Sequence, residues 1–132
     1  MMSMCIYQAR SLLFNNKMYK QCITEGCCND VRPSTRYCYS CLQRHYKEKH
    51  PLRYCYNTLR SNAKRRYKGF GITFAEFEQF CKDTGYIEGK GKTKTSLSID
   101  RIYNFQGYDF TNMRVLTLSA NSKKGIYDDV PF

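Results

Sequence analysis

Two groups of residues have the types and spacings from which chemistry can be built. The first lies in "CITEGCCNDVRPSTRYCYSC", Cys22 to Cys41. A Cys-x-x-Cys pair on a tight turn, Cys38 and Cys41, aims two thiolates at one ion, and Zn²⁺ takes four such ligands in a tetrahedron at about 2.3 Å. The upstream pair is Cys22 with Cys27, where Gly26 lets the turn close around the metal. Cys28 is the alternative to Cys27, and His45 or His50 in "RHYKEKHP" could replace a cysteine. The favoured set is Cys22, Cys27, Cys38 and Cys41, with Cys28 left over. Four protein ligands leave no open coordination position, so the site reads as structural rather than catalytic. The competing account is a reduced set of structural thiols.

The second group lies in "SIDRIYNFQGYDFTNMRVLTLSANSKKG". Asp100 ends the apolar stretch "TSLSIDR", and Asn121 sits in "LSANSKKG". A carboxylate and an amide oxygen suit a hard divalent ion such as Mg²⁺ or Mn²⁺. Most of that ion's coordination shell would stay open for water and a phosphate oxygen, as metal-assisted phosphodiester cleavage requires. The bland readings are that Asp100 caps a turn or pairs with Arg101, and that Asn121 lies on a helix surface. Lys123 and Lys124 near a helix C-terminus suit the helix dipole in any fold.

These groups need elements to hold them. "NDVRPSTRY" is turn-rich and reads as the tip of a zinc-bound hairpin. Pro51 can open a helix. Behind it, Leu52, Cys55, Tyr56, Leu59, Ala63 and Tyr67 recur on one face, and Gly69 and Gly71 end the segment. Arg53, Arg60, Lys64, Arg65, Arg66 and Lys68 cover the rest, with no acid between Lys49 and Phe74. That is either a solvated face or a surface that tracks phosphates. Thr73 and Glu76 form a capping box for a helix carrying Phe74, Phe77, Phe80 and Cys81 as core, closed by Gly85. "GKT" at Gly91–Thr93 is no P-loop, because Tyr86 stands where its first glycine belongs and no apolar strand precedes it. The loop instead offers Lys90, Lys92 and Lys94 to a DNA backbone. "TSLSIDR" then reads as a strand, "IYNFQGYDFTN" as a long turn with Gly107 available for positive φ, "MRVLT" as a second strand, and "LSANSKKG" as a short helix ending at Gly125.

The order divides into an N-terminal arm (1–19), a four-cysteine zinc module (20–50), a basic helical segment with a basic loop (51–95) and a hairpin–helix (96–132). The expected fold class is α+β: a small zinc-stabilised protein with a helical middle. Of 132 residues, 42% are hydrophobic, but that figure includes twelve tyrosines and eight cysteines. Leu, Ile and Val are sparse, so one large aliphatic core is not expected, and a protein of this kind often supplements its core with a metal. The net charge of +11 favours a polyanion such as DNA or RNA. A membrane is disfavoured, because no run approaches the roughly 18 apolar residues of a span. "MMSMCIYQARSLLF" lacks the apolar region and cleavage site of a secretion signal, and the cysteines are paired for metal rather than scattered for disulfides. An intracellular protein is expected, cytoplasmic or with host DNA if phage-encoded. Cys5, Cys55 and Cys81 read as spare buried thiols, and Asp128 and Asp129 as solvated.

The cysteine module is similar to small treble-clef-like zinc knuckles. The stretch from Ser98 to Gly125 resembles the ββα-metal motif of HNH endonucleases, closest to the phage-type and rare-cutting restriction subset reading "DR…GY…N…N..K". The resemblance covers roughly the last third of the chain. It implies that Asp100 and Asn121 are the metal ligands, that Asn112 ties the loop to the hairpin, that Lys124 is the lysine near the helix end, and that Gly107 and Tyr108 are the family's "GY". Most members have a histidine general base after the metal-binding acid. Here Arg101 stands there, as in the "DR" subset, with a pKa too high for a base; it could grip the scissile phosphate. The resemblance thus implies a DNA endonuclease or nickase that acts on double-stranded DNA with Mg²⁺ or Mn²⁺. A double-strand break would take a homodimer or two nicks. The alternative is a non-catalytic nucleic-acid-binding zinc protein with a degenerate HNH fold.

Overall fold

The computed structural model describes residues 13–14 and 17–127. Cys5, Asp128, Asp129 and most of the expected N-terminal arm lie outside them. The chain separates after His50 into two compact units, Met1–His50 and Pro51–Phe132.

In the first unit, β1 (Leu13–Phe14) pairs with β2 (Lys17–Met18), and β3 (Lys20–Gln21) pairs antiparallel with β4 (Asp30–Val31). Helix α1 (Tyr39–Lys49) comes next. Cys38 is its N-cap: the thiol accepts from the Cys41 amide, taking the place a serine or aspartate usually fills. The expected position of the hairpin tip needs correction. Asp30 and Val31 are strand, so the tip is the Cys22–Asn29 segment, and the residues from Arg32 onward lead to α1. Gly26, at φ +75°, supplies the left-handed turn. The buried core here is Cys22, Val31, Cys38 and Cys41, so three of its four members are thiols.

In the second unit, α2 (Pro51–Arg65) starts on a proline whose missing N–H would have no partner at a first turn. It exposes its cations and packs Leu52, Cys55, Tyr56 and Leu59 against α3 (Phe74–Thr84). The expected apolar face ends early: Ala63 is 1% exposed but Tyr67 is 97% exposed. The helix stops at Arg65, and Tyr67 itself takes φ +54°, so the reversal falls before Gly69 and Gly71 rather than on them. The capping box of α3 forms as expected, with Thr73 Oγ1 accepting from the Glu76 amide and Glu76 Oε2 accepting from the Thr73 amide. Gly85 closes the helix in the left-handed region at φ +65°. Phe77, Phe80 and Cys81 are buried with Ile72 and Met113.

After a short α4 (Tyr86–Gly89), β5 (Leu97–Arg101) and β6 (Met113–Thr117) form an antiparallel hairpin, and α5 (Leu118–Tyr127) begins directly after it. The register sets Asp100 opposite Arg114 and Ile99 opposite Val115. Ile99 and Val115 turn to the core, so by strand alternation Ser98 and Asp100 turn to the other face. Two details differ from expectation. Helix α5 runs through Gly125 to Tyr127. Gly107 is needed for close approach rather than for positive φ: a Cβ there would lie 2.7 Å from the Gly69 Cα. The chain crosses at that point because Tyr108 donates its amide to Gly69 O and accepts from the Gly71 amide, both at 2.8 Å. The molecule is thus a small mixed protein of helices and two-stranded sheets. No helix among the described residues is long and apolar enough to cross a membrane.

Candidate functional site

The four cysteines Cys22, Cys27, Cys38 and Cys41 converge, with their sulfurs all within 4.8 Å of one another. A tetrahedron with 2.3 Å bonds has edges of about 3.8 Å, and Cys27 Sγ lies 3.8 Å from Cys38 Sγ. The donor set therefore fits zinc. Two come from the β3–β4 tip and two from the start of α1, so four ligands reach one point from two local structures. The sulfurs are also held from behind. Cys22 Sγ accepts from the Cys38 amide at 3.3 Å, and Cys38 Sγ accepts from the Cys41 amide and from Asn29 Nδ2, each at 3.5 Å. Burial raises the Cys22 thiol, but its hydrogen bonds with Thr24 and with the Cys38 amide outweigh it and bring the group down to about 6. The Asn29 amide, then the Cys41 amide, lowers Cys38. Both effects favour the thiolate that a metal needs, whereas Cys41, despite a bond with Thr24, is pushed up to about 11 by burial and by its neighbours Cys38, Cys27 and Cys22. Cys28 is not in the cluster, and neither histidine is. His45 stacks on Tyr37 at 4.7 Å and its Nε2 lies 3.5 Å from Thr24 Oγ1, while His50 stacks on Tyr46.

The second site is where α5 crosses β5. Asn121 and Lys124 are one helical turn apart and meet Ser98 and Asp100, which are two residues apart on one strand face. Asn121 Nδ2 donates to Ser98 Oγ at 3.0 Å. Lys124 Nζ donates to both Asp100 oxygens at 3.0 Å. The expected pair Asp100 and Asn121 thus share a face but stand on neighbouring rungs, and the group facing Asp100 from the helix is Lys124. Asp100 is only 6% exposed and also accepts from Arg114 Nε at 2.8 Å. Lys124 Nζ further meets the carbonyls of Arg101 and Ile102 and Asn104 Oδ1.

The loop between the strands is stitched by Asn112, which is 1% exposed. Its Oδ1 accepts from the Tyr103 amide at 2.8 Å, and its Nδ2 donates to Tyr103 O at 3.1 Å and Gly107 O at 2.9 Å. The half-buried Arg101 folds over the same loop. Nη1 donates to Asn104 O and Gln106 O, and the guanidinium lies 5.4 Å from the Tyr108 ring. Asp109 closes the loop by accepting from the Thr111 hydroxyl and from the Thr111 and Asn112 amides, and these bonds hold its carboxyl below the usual range.

The eight cations expected to meet DNA separate by environment. Arg60, Lys64, Arg65, Arg66, Lys92 and Lys94 are exposed, and none of them forms an ion pair among the described residues. Arg53 lies flat on the Phe74 ring at 3.4 Å. Lys90 turns inward and donates to Cys55 Sγ at 2.9 Å, because the 90–97 bridge draws that end of the loop onto the unit. Cys81 is buried, which pushes its thiol up to about 12 and removes it from chemistry.

Three participants carry no role in the sequence motifs: Arg114, Asn104 and Ser98. Arg114 had a usable signal, since pairing "LSIDR" against "MRVLT" end to end sets it across from Asp100. Asn104 and Ser98 had none, being ordinary turn and strand residues. Searched against protein-family models, curated proteins and solved structures, the chain matches none.

Proposed function

We propose that the protein is a zinc-stabilised, metal-dependent DNA endonuclease or nickase of the HNH type. The observation that carries the reading is the surroundings of Asp100: a buried carboxylate beside amide and carbonyl oxygens that already hold a cation, the Lys124 ammonium. A donor set of oxygens suits a hard divalent ion, and the ammonium is its stand-in. On this reading Asp100 holds Mg²⁺ or Mn²⁺ together with Asn121, whose Oδ1 remains for a ligand while its Nδ2 is tied to Ser98. When bound, the ion would polarise the scissile phosphate and lower the pKa of its water. Arg101, steadied by two loop carbonyls through Nη1, has Nε and Nη2 to present to phosphate. Asn112 keeps the loop in shape. The exposed cations of α2 and of the 91–95 loop would bind backbone phosphates, and the four-cysteine site serves as scaffold.

A second reading has its own support. Asp100 is neutralised by two cations, Arg114 and Lys124, which is what a purely architectural ion pair looks like. The protein would then bind nucleic acid without cutting it. Incubation with supercoiled plasmid separates the two. Nicked circles with Mg²⁺ or Mn²⁺, lost in Asp100→Ala, support the nuclease; plasmid retardation on a gel without nicks in either ion sinks it and leaves the binding protein.

A further inference from the structure

We propose that Tyr67 and Phe105, with Tyr103, form a stacking surface for unpaired bases, and that the DNA this protein takes is a duplex interrupted by them. Among the described residues, the exposed large hydrophobics of the second unit are Tyr67, Ile102, Tyr103, Phe105 and Phe110. All of them stand on two segments, the turn after α2 and the β5–β6 loop. Single exposed hydrophobics are ordinary, but a group of them marks an interaction surface. Tyr67 is 97% exposed and Phe105 82%, so each forgoes the burial that Tyr56, Phe70 and Phe77 of the same unit obtain.

The two segments are locked together. Gly69 and Gly107 are in contact, and Tyr108 bonds to Gly69 O and to the Gly71 amide. Tyr67 lies two residues before Gly69 and Phe105 two before Gly107, so each stands within about 7 Å of the crossing along the chain. The rings of Tyr103 and Phe105 are 5.7 Å apart. Binding has little left to order here. Asn112 and Arg101 stitch the loop, and the Lys68 amide bonds to Ala63 O at 2.9 Å across the turn. That turn holds Tyr67 at φ +54°, which costs any residue but glycine, and a ring so exposed gains nothing from the fold in return. The neighbours select the ligand. Arg65, Arg66 and Lys68 beside Tyr67 are exposed, Arg101 has Nε and Nη2 beside the loop, and the loop's acid, Asp109, is spent on Thr111 and Asn112. Cations set among aromatic rings suit a strand whose phosphates meet the cations and whose bases lie on the rings. A fully paired duplex keeps those base faces inside its own stack. The inference rests on the nucleic-acid reading common to both functions above and adds the class of substrate.

The test is fluorescence anisotropy of the zinc-loaded full chain with a duplex carrying a bulge of unpaired thymines and with the fully paired duplex, no Mg²⁺ or Mn²⁺ being added. Wild type binds the bulged duplex about tenfold or more tighter. Phe105→Leu and Tyr67→Gly each reduce that preference, and together they abolish it, while the salt slope on paired duplex stays as it was. Phe105→Tyr, which keeps a π-face, retains the preference. Tyr67→Gly relieves the left-handed turn, so its melting temperature does not fall and a lost preference there is not a lost fold. Equal binding of the two DNAs by wild type, or a preference that survives the double variant, overturns the inference and leaves the nucleic-acid reading standing. If neither DNA binds, that reading falls and the inference with it. A dimer in sedimentation that Phe105→Leu dissolves also overturns it, since the rings would then cover a second copy of the chain.

Discussion

Asn112 spends its whole side chain on the loop it closes. Two backbone carbonyls and one amide depend on it, and its own residue is 1% exposed. Truncation would leave buried backbone groups without partners, at about 1–3 kcal/mol. Asn112→Ala is therefore expected to lower the unfolding free energy by that amount, measured by urea titration, while zinc content stays constant. The cysteines act in the complementary way. Because thiols make up most of the buried core of the first unit, a metal bound by them would share one equilibrium with the fold there. Elemental analysis should find about one zinc per chain, lost in the Cys38→Ser/Cys41→Ser variant together with the circular-dichroism signal of α1. An unchanged zinc content in that variant would refute the site. The cysteines were legible because Cys-x-x-Cys states its geometry locally. Asp100 was legible as an anomaly in an apolar strand, and of its partners only Arg114 was legible, through the strand register. Lys124 meets Asp100 only through the packing of α5, Asn104 meets Lys124 through the turn, and only the N..K spacing from Asn121 distinguishes Lys124 from Lys123.

At the scale of elements, local rules held where one signal acted alone. The capping box at Thr73, the left-handed close at Gly85 and the proline start of α2 each have a single physical cause, and each appears where the residues put it. The departures come where a tertiary contact decides. Gly107 sits in a turn and looks free to adopt positive φ, but it is glycine because Gly69 passes within contact of it. The Phe70–Tyr108 bridge then ties the α2–α3 connection to the hairpin loop. Tyr67, not Gly69, takes the left-handed turn, which leaves Gly69 for that approach. Gly107→Ala should accordingly cost about 1–3 kcal/mol, the usual range for an overpacked contact. Gly85→Ala should also destabilise, but through backbone strain, since no atom lies closer than 4.0 Å to its added Cβ. Thermal melts of the two variants, with Gly26→Ala as a turn control in the other unit, check this. A neutral Gly107→Ala would mean that the two backbones do not press on each other at the crossing.

For the whole molecule, charge is the property that no fold explains. A net +11 on 132 residues repels itself and gains nothing for folding. Much of it stands on one stretch, since "HPLRYCYNTLRSNAKRRYKGFGIT" holds no acid and α2 exposes Arg60, Lys64 and Arg65 without carboxylate partners among the described residues. If that surface binds DNA, affinity must fall with salt, because each neutralised phosphate releases counterions: the slope of log K against log salt is about −0.9 per contact on duplex DNA. Replacing Lys64, Arg65 and Arg66 together by glutamine should therefore flatten the slope by up to about three such contacts. Lys92→Gln and Lys94→Gln should flatten it further and independently, as their loop is separate from α2. Arg53→Gln and Lys90→Gln should leave the slope nearly unchanged, because one side chain is spent on the Phe74 ring and the other on Cys55. Fluorescence anisotropy with a duplex across a range of salt concentrations reads all of these. An unaltered slope in the triple variant would remove α2 from the interface.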